Sequence, residues 1–592
     1  MKLSPLTLML LGACFFVPSH RSAPTHLRWG ALRKFRGGEF LKTEWLTQHL
    51  EQDRAPLKTG SRIPYCSACK LSTAVVREYL QAGLPESIII TFLQGACHNL
   101  SIETPRVCAG LVERFKDEFF YVLGHTTMSP AEICGIVLPD ECPPAGVLNW
   151  TVPLPPSPKP PVTPVPLPKE GAPTLRVLHI SDTHVDLAYS EGSEADCNEP
   201  LCCHAGDVPA SSGGRRKAGH WGAFETCDIP PRTFENMLKT VRDTQKIDYV
   251  IWTGDMVAHD VWNTSRAGNL DIIEYTVKSL EKYLPGVPIY PALGNHEGNP
   301  VDSFPIPAVK GNRSVEWLYT ALASQWSQWL PASASVTMRR GAYYAVTPFP
   351  GLKIISLNMN YCNTLNWWLL LDPRDPAEQL AFLVNELQES EIKGQKVHII
   401  GHIPPGQEDC LEVWSDNYNR IIERFESTVR GQFFGHTHND ELELFYEHAR
   451  EHHRGRRPFS VAYVAPSTTT FNSGHPAYRV YVVDGNYANS TWAVLDHETY
   501  LMNLTEANVD PTREPRWHLE YAAKAEFGMQ SLEPAEWDDL LNKMEFDDKL
   551  FDKFYRFYRK QDPTAKPCNS ACRKSFLCKQ RISKSADLNT CR

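Results

Sequence analysis

The 592-residue sequence lacks two features that would place it in large classes of protein. No apolar stretch reaches the roughly 20 residues that a helix needs to cross a bilayer. The sequence also has no notable run of lysine and arginine, and its net charge is −9. It therefore shows no electrostatic footprint for nucleic acid, and we exclude that partner.

One apolar stretch is present at the amino end, from Leu6 to Val17, after the basic Lys2. Its length and flanks predict a secretory signal peptide over residues 1–22. The polar residues 23–61 have no clear periodicity and are interpreted as a pro-segment or flexible arm. Six Asn-X-Ser/Thr triplets agree with export and predict glycosylation at Asn99, Asn149, Asn263, Asn312, Asn489 and Asn503.

The number of cysteines also agrees with export. Of the seventeen cysteines, Cys14 lies in the predicted signal, which leaves an even sixteen, as expected for an oxidised, exported chain. Six of them fall in residues 62–146, among segments with helical apolar periodicity such as 71–80 and 111–123. These features predict a small helical domain closed by three disulfides, although spacing alone allows about fifteen pairings.

A proline-rich stretch at residues 147–173 favours extended polyproline II conformation and predicts a semi-rigid linker. An SH3-type ligand is the alternative, but such readers are cytosolic. Residues 174–485 then alternate apolar strands with helical segments, which predicts an α/β sandwich. The expected strands are 175–180, 249–252, 287–290, 353–357, 397–400 and 432–434. Residues 486–592 are aromatic-rich, end with four cysteines and are expected to be helical. The fold class is therefore an α+β multidomain chain.

Short motifs rich in metal-ligand side chains follow five of these strands. They are Asp182-Thr-His184, Gly254-Asp255, Gly294-Asn295-His296-Glu297, Gly401-His402 and Gly435-His436-Thr-His438. Any one of them alone is commonly a solvated turn. Because strand ends converge on one edge of an α/β sheet, five such motifs in succession predict a metal site.

The order of these motifs resembles that of the calcineurin-like metallophosphoesterases. The six-cysteine block resembles saposin B-type lipid-interacting domains, and with the linker and the cysteine-rich end the chain resembles the acid sphingomyelinase family over about residues 62–592. The resemblance implies a phosphodiesterase that cleaves sphingomyelin to ceramide and phosphocholine at acidic pH, in a phospholipase C-type reaction. It also implies location in the lysosome and outside the cell.

The resemblance assigns the metal ligands. Asp182, His184, Asp255 and His438 would hold one metal, and Asp255 would bridge to a second metal held by Asn295, His402 and His436. Four imidazoles favour two Zn²⁺ ions over magnesium or calcium, with iron and manganese left open by ligand type. Ala258 stands where purple acid phosphatases carry a metal-binding tyrosine, so an iron–tyrosinate centre is not expected.

The same resemblance makes His259 and His296 catalytic. A metal-activated water would attack phosphorus, and an imidazolium would protonate the ceramide oxygen as it leaves. Which histidine does so stays open. The alternative for His259 is a residue that only orients a ligand, and the alternative for His296 is a residue that positions the phosphate. Glu297 is expected to partner an imidazole. Asn360 or Tyr361 either lines the substrate mouth or packs its loop.

The resemblance also implies the disulfides. The pairs are Cys66–Cys142, Cys69–Cys134, Cys97–Cys108, Cys197–Cys202, Cys203–Cys227, Cys362–Cys410, Cys568–Cys572 and Cys578–Cys591. For the four cysteines between 197 and 227, a zinc knuckle is the alternative, which an oxidising compartment disfavours.

The expected partners are sphingomyelin in membranes and an anionic lipid surface that the saposin-like block contacts. The protein is expected to be a monomer. Two competing functions are a secreted nucleotide phosphodiesterase with the same dimetal core and a lipid carrier without enzymatic activity. Seven competent ligand positions argue against the carrier.

Overall fold

In a computed structural model of the chain, the described residues are 65–83, 85–99, 102–138, 142–143, 146–210, 216–447, 456–472 and 474–591. The predicted signal peptide at 1–22 and the segment 23–61 lie outside them. The chain divides into two compact units between Asn149 and Trp150. No helix in the described ranges is both long and apolar enough to cross a membrane.

The described part of the first unit is helical. Its helices are α1 (Tyr65–Gln81), α2 (Glu86–Asn99), α3 (Pro105–His125) and α4 (Pro130–Val137). Helix α3 begins where the Thr104 side chain accepts the Val107 N–H, and α4 begins with a capping box between Ser129 and Glu132. The apolar face of α3, which includes Phe115 and Phe119, is fully buried. These helices agree with the predicted periodicity, and the saposin-type assignment stays a prediction.

Three disulfides close this unit, joining Cys66 to Cys142, Cys69 to Cys134 and Cys97 to Cys108. They are the pairs that the resemblance implies. Two of them tie helices together, since Cys69 of α1 bonds Cys134 of α4 and Cys97 of α2 bonds Cys108 of α3. Such cross-links stabilise a small core mainly by restricting the unfolded chain.

The second unit is built on two six-stranded sheets. The strands of the first sheet are, in spatial order, β12 (Trp517–Ala522), β11 (Val494–Met502), β10 (Ala477–Asp484), β1 (Thr174–Ile180), β2 (Tyr249–Trp252) and β3 (Ile289–Pro291). Strands β1, β2 and β3 run parallel, with Ile180 opposite Trp252 and Trp252 opposite Pro291. Their carboxyl ends therefore lie together at one edge.

The second sheet has the order β4 (Tyr344–Phe349), β5 (Leu352–Ser356), β6 (Lys396–Ile400), β7 (Val429–Phe434), β9 (Pro458–Val464) and β8 (Glu441–Tyr446). Strands β5, β6, β7 and β9 are parallel, and Ile400 lies opposite Phe433. One apolar core contains buried residues of both sheets, such as Val250 and Ile354. The predicted α/β sandwich is therefore present, and the six expected strands correspond to β1, β2, β3, β5, β6 and β7. Strands β4, β8, β9 and β10 were not predicted.

Helices surround the sheets. They are α5 (Pro231–Thr244), α6 (Arg266–Tyr283), α7 (Glu316–Gln325), α8 (Ala334–Gly341), α9 (Gln379–Lys393), α10 (Glu412–Arg424), α11 (Leu504–Val509), α12 (Ala523–Phe527), α13 (Pro534–Met544), α14 (Asp548–Tyr558) and α15 (Ser570–Lys579). Helix α5 shows why they form: Phe234, Leu238 and Val241 recur at helical spacing and are fully buried against the first sheet. The apolar face of α5 packs toward the core, and its polar face is directed away from it.

The region 486–592 differs from its helical prediction. It contains β11 and β12, which extend the first sheet beyond β10. The prediction is therefore wrong for these two segments. Their burial alternates, with intermediate or exposed residues between buried ones. Such half-buried outer strands have no continuous apolar run, so their signal was missed. The aromatic helices α13 and α14 were anticipated correctly.

The second unit contains five disulfides. They are Cys197–Cys202, Cys203–Cys227, Cys362–Cys410, Cys568–Cys572 and Cys578–Cys591. The pairing coincides with the one implied by the resemblance. The four cysteines between 197 and 227 are thus disulfide-bonded rather than arranged as a zinc knuckle.

Four of the predicted glycosylation sites are exposed, namely Asn149, Asn263, Asn312 and Asn489. The Asn503 side chain instead caps α11 through the Glu506 N–H. Glycosylation itself stays a prediction at all six positions.

Candidate metal centre

The seven predicted metal ligands lie on loops that follow the parallel strands. Asp182 and His184 come after β1, Asp255 after β2 and Asn295 after β3 in the first sheet. His402 follows β6, and His436 and His438 follow β7, in the second sheet. The two packed sheets bring their loops together over the same edge, as is usual for sites on α/β sheets.

The backbone at these loops is unusual. Five of the seven ligands adopt the left-handed region, at Asp182 (φ 50°), His184 (φ 37°), Asp255 (φ 56°), His436 (φ 75°) and His438 (φ 62°). Residues other than glycine rarely adopt this backbone conformation, and such strain is concentrated at functional sites. The surrounding structure must therefore hold these residues in place.

Glycine next to the ligands permits the close approach of the loops. A Cβ atom added to Gly435 would overlap Ser181 Oγ, and one added to Gly294 would overlap the Asp255 carboxylate. Glycine at these two positions is a packing requirement of the site.

Asp182, His184 and His438 form the first ligand set, which shares Asp255 with the second. The two Nε2 atoms of His184 and His438 lie 3.2 Å apart, and His438 Nε2 lies 3.6 Å from Asp182 Oδ1. All three side chains are buried. One ligand atom from each lies within 4.8 Å of the others, so the set could hold a cation.

The second ligand set consists of Asp255, Asn295, His402 and His436. His436 Nδ1 lies 3.2 Å from both His402 Nε2 and Asn295 Oδ1. His402 Nε2 in turn lies 3.0 Å from Asp255 Oδ2.

Asp255 belongs to both sets. Its Oδ2 atom is 3.0 Å from His402 Nε2 and 3.5 Å from His184 Nε2, while its Oδ1 accepts the backbone N–H of His296 at 2.9 Å. Ligand atoms around a tetrahedral zinc lie about 3.3 Å apart, because each is about 2.0–2.1 Å from the metal. The spacings of 3.0 to 3.6 Å therefore fit two cations that share the Asp255 carboxylate.

Backbone carbonyls orient three of the four imidazoles. Each Nδ1–H donates to a carbonyl oxygen: His184 to Val257 at 2.6 Å, His402 to Thr253 at 2.7 Å and His438 to Phe471 at 3.0 Å. This leaves Nε2 of each ring facing the site. His436 is reversed, since its Nε2 contacts Asp409 Oδ2 at 2.6 Å and its Nδ1 faces the site.

The two predicted catalytic histidines lie beside the first set. The His259 and His296 ring centroids are 4.5 Å apart and lie 3.9 and 4.8 Å from the His184 ring. The rings of His184, His259 and His296 also form a third group within ligand distance. His184 Nε2 already faces His438, however, and His259 Nδ1 is bonded to Asp228.

His259 is fixed from two sides. Asp228 accepts its backbone N–H at 2.8 Å and faces its ring Nδ1 at 2.9 Å, and the Phe471 ring stacks on it with centroids 3.8 Å apart. Asp228 is fully buried and also accepts the Thr469 hydroxyl at 2.8 Å. Burial raises the pKa of Asp228 well above its usual range.

The hydrogen bonds of the Glu297 carboxylate among the described residues go to backbone amides, so its predicted role as the partner of an imidazole stays a prediction. Its buried carboxylate accepts the backbone N–H groups of Met256 at 2.6 Å, Gly294 at 2.7 Å and Asp255 at 3.2 Å. These are the loops after β2 and β3, so Glu297 joins the backbones that carry Asp255 and Asn295.

Asn360 and Tyr361 pack their loop instead of lining an opening. Both are almost fully buried. Asn360 Nδ2 donates to the Gly294 carbonyl at 3.0 Å, and the Tyr361 hydroxyl contacts that of Tyr319 at 3.1 Å. The Asn360 contact supports the loop that carries Asn295.

Three carboxylates that contact predicted site residues were not identified from the sequence. They are Asp228 at His259, Asp302 at Asn295 and Asp409 at His436. None belongs to a strand-end motif, and no residue spacing marks them. The only available signal was the general rule that metal-binding imidazoles have an outer partner.

Comparison with known families agrees with this site. Residues 175–440 match the family described as calcineurin-like phosphoesterase, and residues 457–591 match the acid sphingomyelin phosphodiesterase C-terminal region. The fold of residues 175–440 is thus that of a calcineurin-like phosphoesterase.

Whole-chain relatives narrow the class to a family. The sphingomyelin phosphodiesterase of Bos taurus is 45% identical over 534 residues, which cover 89% of this chain and 83% of the bovine protein. That of Homo sapiens is 46% identical over 84% of this chain and 78% of its own length. The chain belongs to the acid sphingomyelinase family. A cyclic GMP-AMP phosphodiesterase of Rattus norvegicus is more distant, at 29% identity over 70% of this chain and 91% of its own.

Proposed function

We propose that this protein hydrolyses sphingomyelin to ceramide and phosphocholine at acidic pH. The observation that carries the proposal is the pair of ligand sets sharing Asp255, in a chain 45% identical to a sphingomyelin phosphodiesterase over most of its length. A phosphodiester bond needs its charge stabilised and its leaving oxygen protonated, and the side chains near Asp255 are suited to both tasks.

The residues that would hold the cations are those of the two sets. Asp182, His184 and His438 would hold one, and Asn295, His402 and His436 the other, with Asp255 between them. The imidazole-rich donors favour Zn²⁺. When bound, two such ions supply Lewis-acid stabilisation of the phosphoryl oxygens and a water activated at neutral or acidic pH.

His259 and His296 would supply the proton that the ceramide oxygen needs on departure. Both rings lie at the first set, and each is close enough to the other for a single phosphodiester to contact both. Asp228 holds His259 with Nδ1 facing the carboxylate, so the ring presents Nε2 as the proton-carrying atom. His296 is anchored by its backbone N–H to Asp255, which leaves its ring for the phosphate.

The first unit favours a lipid substrate. Residues 62–142 carry six Lys/Arg and nine Asp/Glu, a net charge of −3 with neutral histidines. Protonation of carboxylates and histidines at acidic pH reduces repulsion from anionic lipid, so surface docking and leaving-group protonation would share a pH range. We propose that this unit brings the enzyme to membranes in the lysosome and outside the cell, as a monomer.

The proposal is tested by hydrolysis assays of the full chain at about pH 5, with sphingomyelin in anionic liposomes and cyclic GMP-AMP as parallel substrates. We expect release of phosphocholine that a zinc chelator abolishes and added zinc restores. Asp255→Asn should remove activity on lipid, whereas the matched control Asp271→Asn, on the exposed face of α6, should retain it.

Cleavage of the nucleotide without lipid turnover would replace the proposal with a nucleotide phosphodiesterase. Lipid cleavage that survives both chelation and Asp255→Asn would contradict the dimetal site. If the protein binds zinc but cleaves neither the lipid nor the nucleotide, the lipid-carrier alternative remains.

A further inference from the structure

The two ligand sets differ in what supports them. Around the first set, His184 and His438 donate to uncharged backbone carbonyls. In the second set, Asn295 and His436 each contact a carboxylate that is not itself a ligand. These carboxylates are Asp302 and Asp409.

Asp302 fixes the orientation of the Asn295 amide. Its Oδ1 accepts Asn295 Nδ2 at 3.0 Å and also accepts Asn363 Nδ2 at 3.0 Å. Since the amide nitrogen of Asn295 is committed to this carboxylate, its Oδ1 must point to the opposite side, where it lies 3.2 Å from His436 Nδ1. A side-chain amide can bind a cation only through this oxygen. Asp302 therefore selects the rotamer that can act as a ligand.

Asp409 fixes the orientation of the His436 ring. Its Oδ2 lies 2.6 Å from His436 Nε2, so the proton resides on Nε2 and the lone pair of Nδ1 faces the site. The Asp409 backbone is itself anchored, because its carbonyl accepts the Thr364 N–H at 2.7 Å and the next residue, Cys410, is bonded to Cys362. The carboxylate is thus held in place by a cross-linked loop.

We propose that Asp302 and Asp409 are positioning residues that set the affinity of the second metal position selectively. A carboxylate behind an imidazole makes the ring a stronger donor, and such outer partners typically contribute about 10- to 100-fold in metal affinity. In the first set, His184 and His438 donate from Nδ1 to backbone carbonyls, so loss of either carboxylate should weaken one metal and spare the other. This inference rests on the proposed dimetal function.

The test uses the full chain carrying Asp302→Asn or Asp409→Asn, each of which keeps side-chain volume and an acceptor oxygen but removes the charge. The number of zinc ions bound per chain is measured by elemental mass spectrometry, after dialysis against buffers that hold free zinc at a series of concentrations. We expect two zinc ions per chain in the wild type. In each variant we expect one tightly held zinc and a second whose Kd is raised about 10- to 100-fold.

A structural role would not produce this pattern. The variants should regain most of the wild-type kcat at high zinc, and their melting temperatures with saturating zinc should match the wild type. Asp409→Ala, which removes the acceptor as well, should weaken the second site further. The control Asp271→Asn should bind two ions as the wild type does.

Equal weakening of both ions, or two unchanged affinities in both variants, would overturn the inference and leave the proposed function intact. A wild-type chain that binds no zinc or other divalent metal would instead overturn the proposed function itself.

Discussion

Asp228 lies outside every motif that the sequence suggested, yet it contacts both the backbone and the ring of His259. It accepts both the backbone and ring N–H groups of that residue, and Thr469 holds it from behind. A buried carboxyl group that faces Nδ1 fixes the orientation of the imidazole and leaves Nε2 directed toward the site. Asp228 is therefore a positioning residue for His259.

Asp228→Asn should lower kcat by about 100-fold, within the range that general acid catalysis contributes. If the effect acts through His259, the double variant with His259→Ala should be no worse than His259→Ala alone. The measurement is a double-mutant cycle on sphingomyelin turnover, with zinc content checked in each variant. Additive losses would show that Asp228 acts independently of His259.

Two neighbouring carboxylates on β8 carry a pH dependence of stability. Glu441 and Glu443 point the same way and share Gln407, whose Nε2 donates to them at 3.2 and 3.3 Å. Burial raises the pKa of Glu441 to about 7 and that of Glu443 well above its usual range. The other charged groups that act on them are Lys579, Asp440, His436 and Asp409.

Because folding raises these pKa values, the folded state binds more protons than the unfolded state. The resulting stability is complete below the unfolded pKa of about 4.3 and declines as pH rises toward 7. We therefore compare the free energy of unfolding of Glu443→Gln with that of the wild type at two pH values. The difference should shift in favour of the variant between pH 5 and pH 7.5, by on the order of 1 kcal/mol or more.

Thermal unfolding at the two pH values measures this difference, with Glu281→Gln on the exposed face of α6 as the control. A pH dependence that is the same in Glu443→Gln and the wild type would contradict the assignment.

At the scale of elements, the proline-rich segment is more than a spacer. Asn417 of α10 accepts the Val152 N–H at 2.7 Å and donates to the Trp150 carbonyl at 3.1 Å. Further along, Arg424 donates to the Ser157 carbonyl, and Lys159 pairs with Glu426 at 2.6 Å. Polyproline conformation leaves backbone groups unpaired internally, so the helix can bond them.

Asn417→Ala should release this segment. Its side chain satisfies two backbone groups of the segment, and loss of both leaves them to solvent. Hydrogen exchange at Val152 is expected to accelerate markedly, while exchange in β1 stays unchanged. Exchange measured by mass spectrometry tests this, and equal protection in both proteins would show that the segment is held by its other contacts.

At the scale of the whole molecule, the carboxyl-terminal region supports the metal centre. Lys560, which follows α14, is fully buried and donates to Ser467 Oγ at 2.5 Å and to the Thr469 carbonyl at 3.1 Å. The loop that it holds contributes Phe471, which bonds His438 and stacks on His259. Lys560 is thus one side chain by which the carboxyl-terminal region reaches the site.

Lys560→Met should remove the buried ammonium that Ser467 and Thr469 share and leave the Thr469 carbonyl with the Ser467 hydroxyl, at a cost of about 1–3 kcal/mol. We expect a melting temperature lowered by about 2 °C or more and weaker zinc retention. Calorimetry and elemental analysis measure these effects. Lys549→Met, on an exposed turn of α14, is the control and should change neither. An unchanged Lys560→Met variant would remove the proposed link.

Much of the fold could be predicted from the sequence, because the spacing of apolar residues along a helix or strand follows the repeat of that element. The parallel strands that precede the predicted ligands are rich in apolar residues and buried over most of their length, so each was predicted within a few residues of its bounds. Strands β11 and β12 were not predicted because each is partly solvent-facing and shows only weak alternation. Strands β4, β8, β9 and β10 were also not among the six expected strands, although β10 is almost fully buried. The contact between Glu297 and three backbone amides was missed because main-chain partners leave no mark on residue type.

The sequence by itself determined the donor types and their order along the chain, since carboxylates, an amide and imidazoles follow successive strand ends. Only the tertiary structure decided which groups stand behind them. Asp228 and His259 are 31 residues apart, and Lys560 and Ser467 are 93 apart. Such partners meet only when loops from the two packed sheets and the carboxyl-terminal region converge. A local sequence pattern cannot show that two residues far apart along the chain lie close together in space.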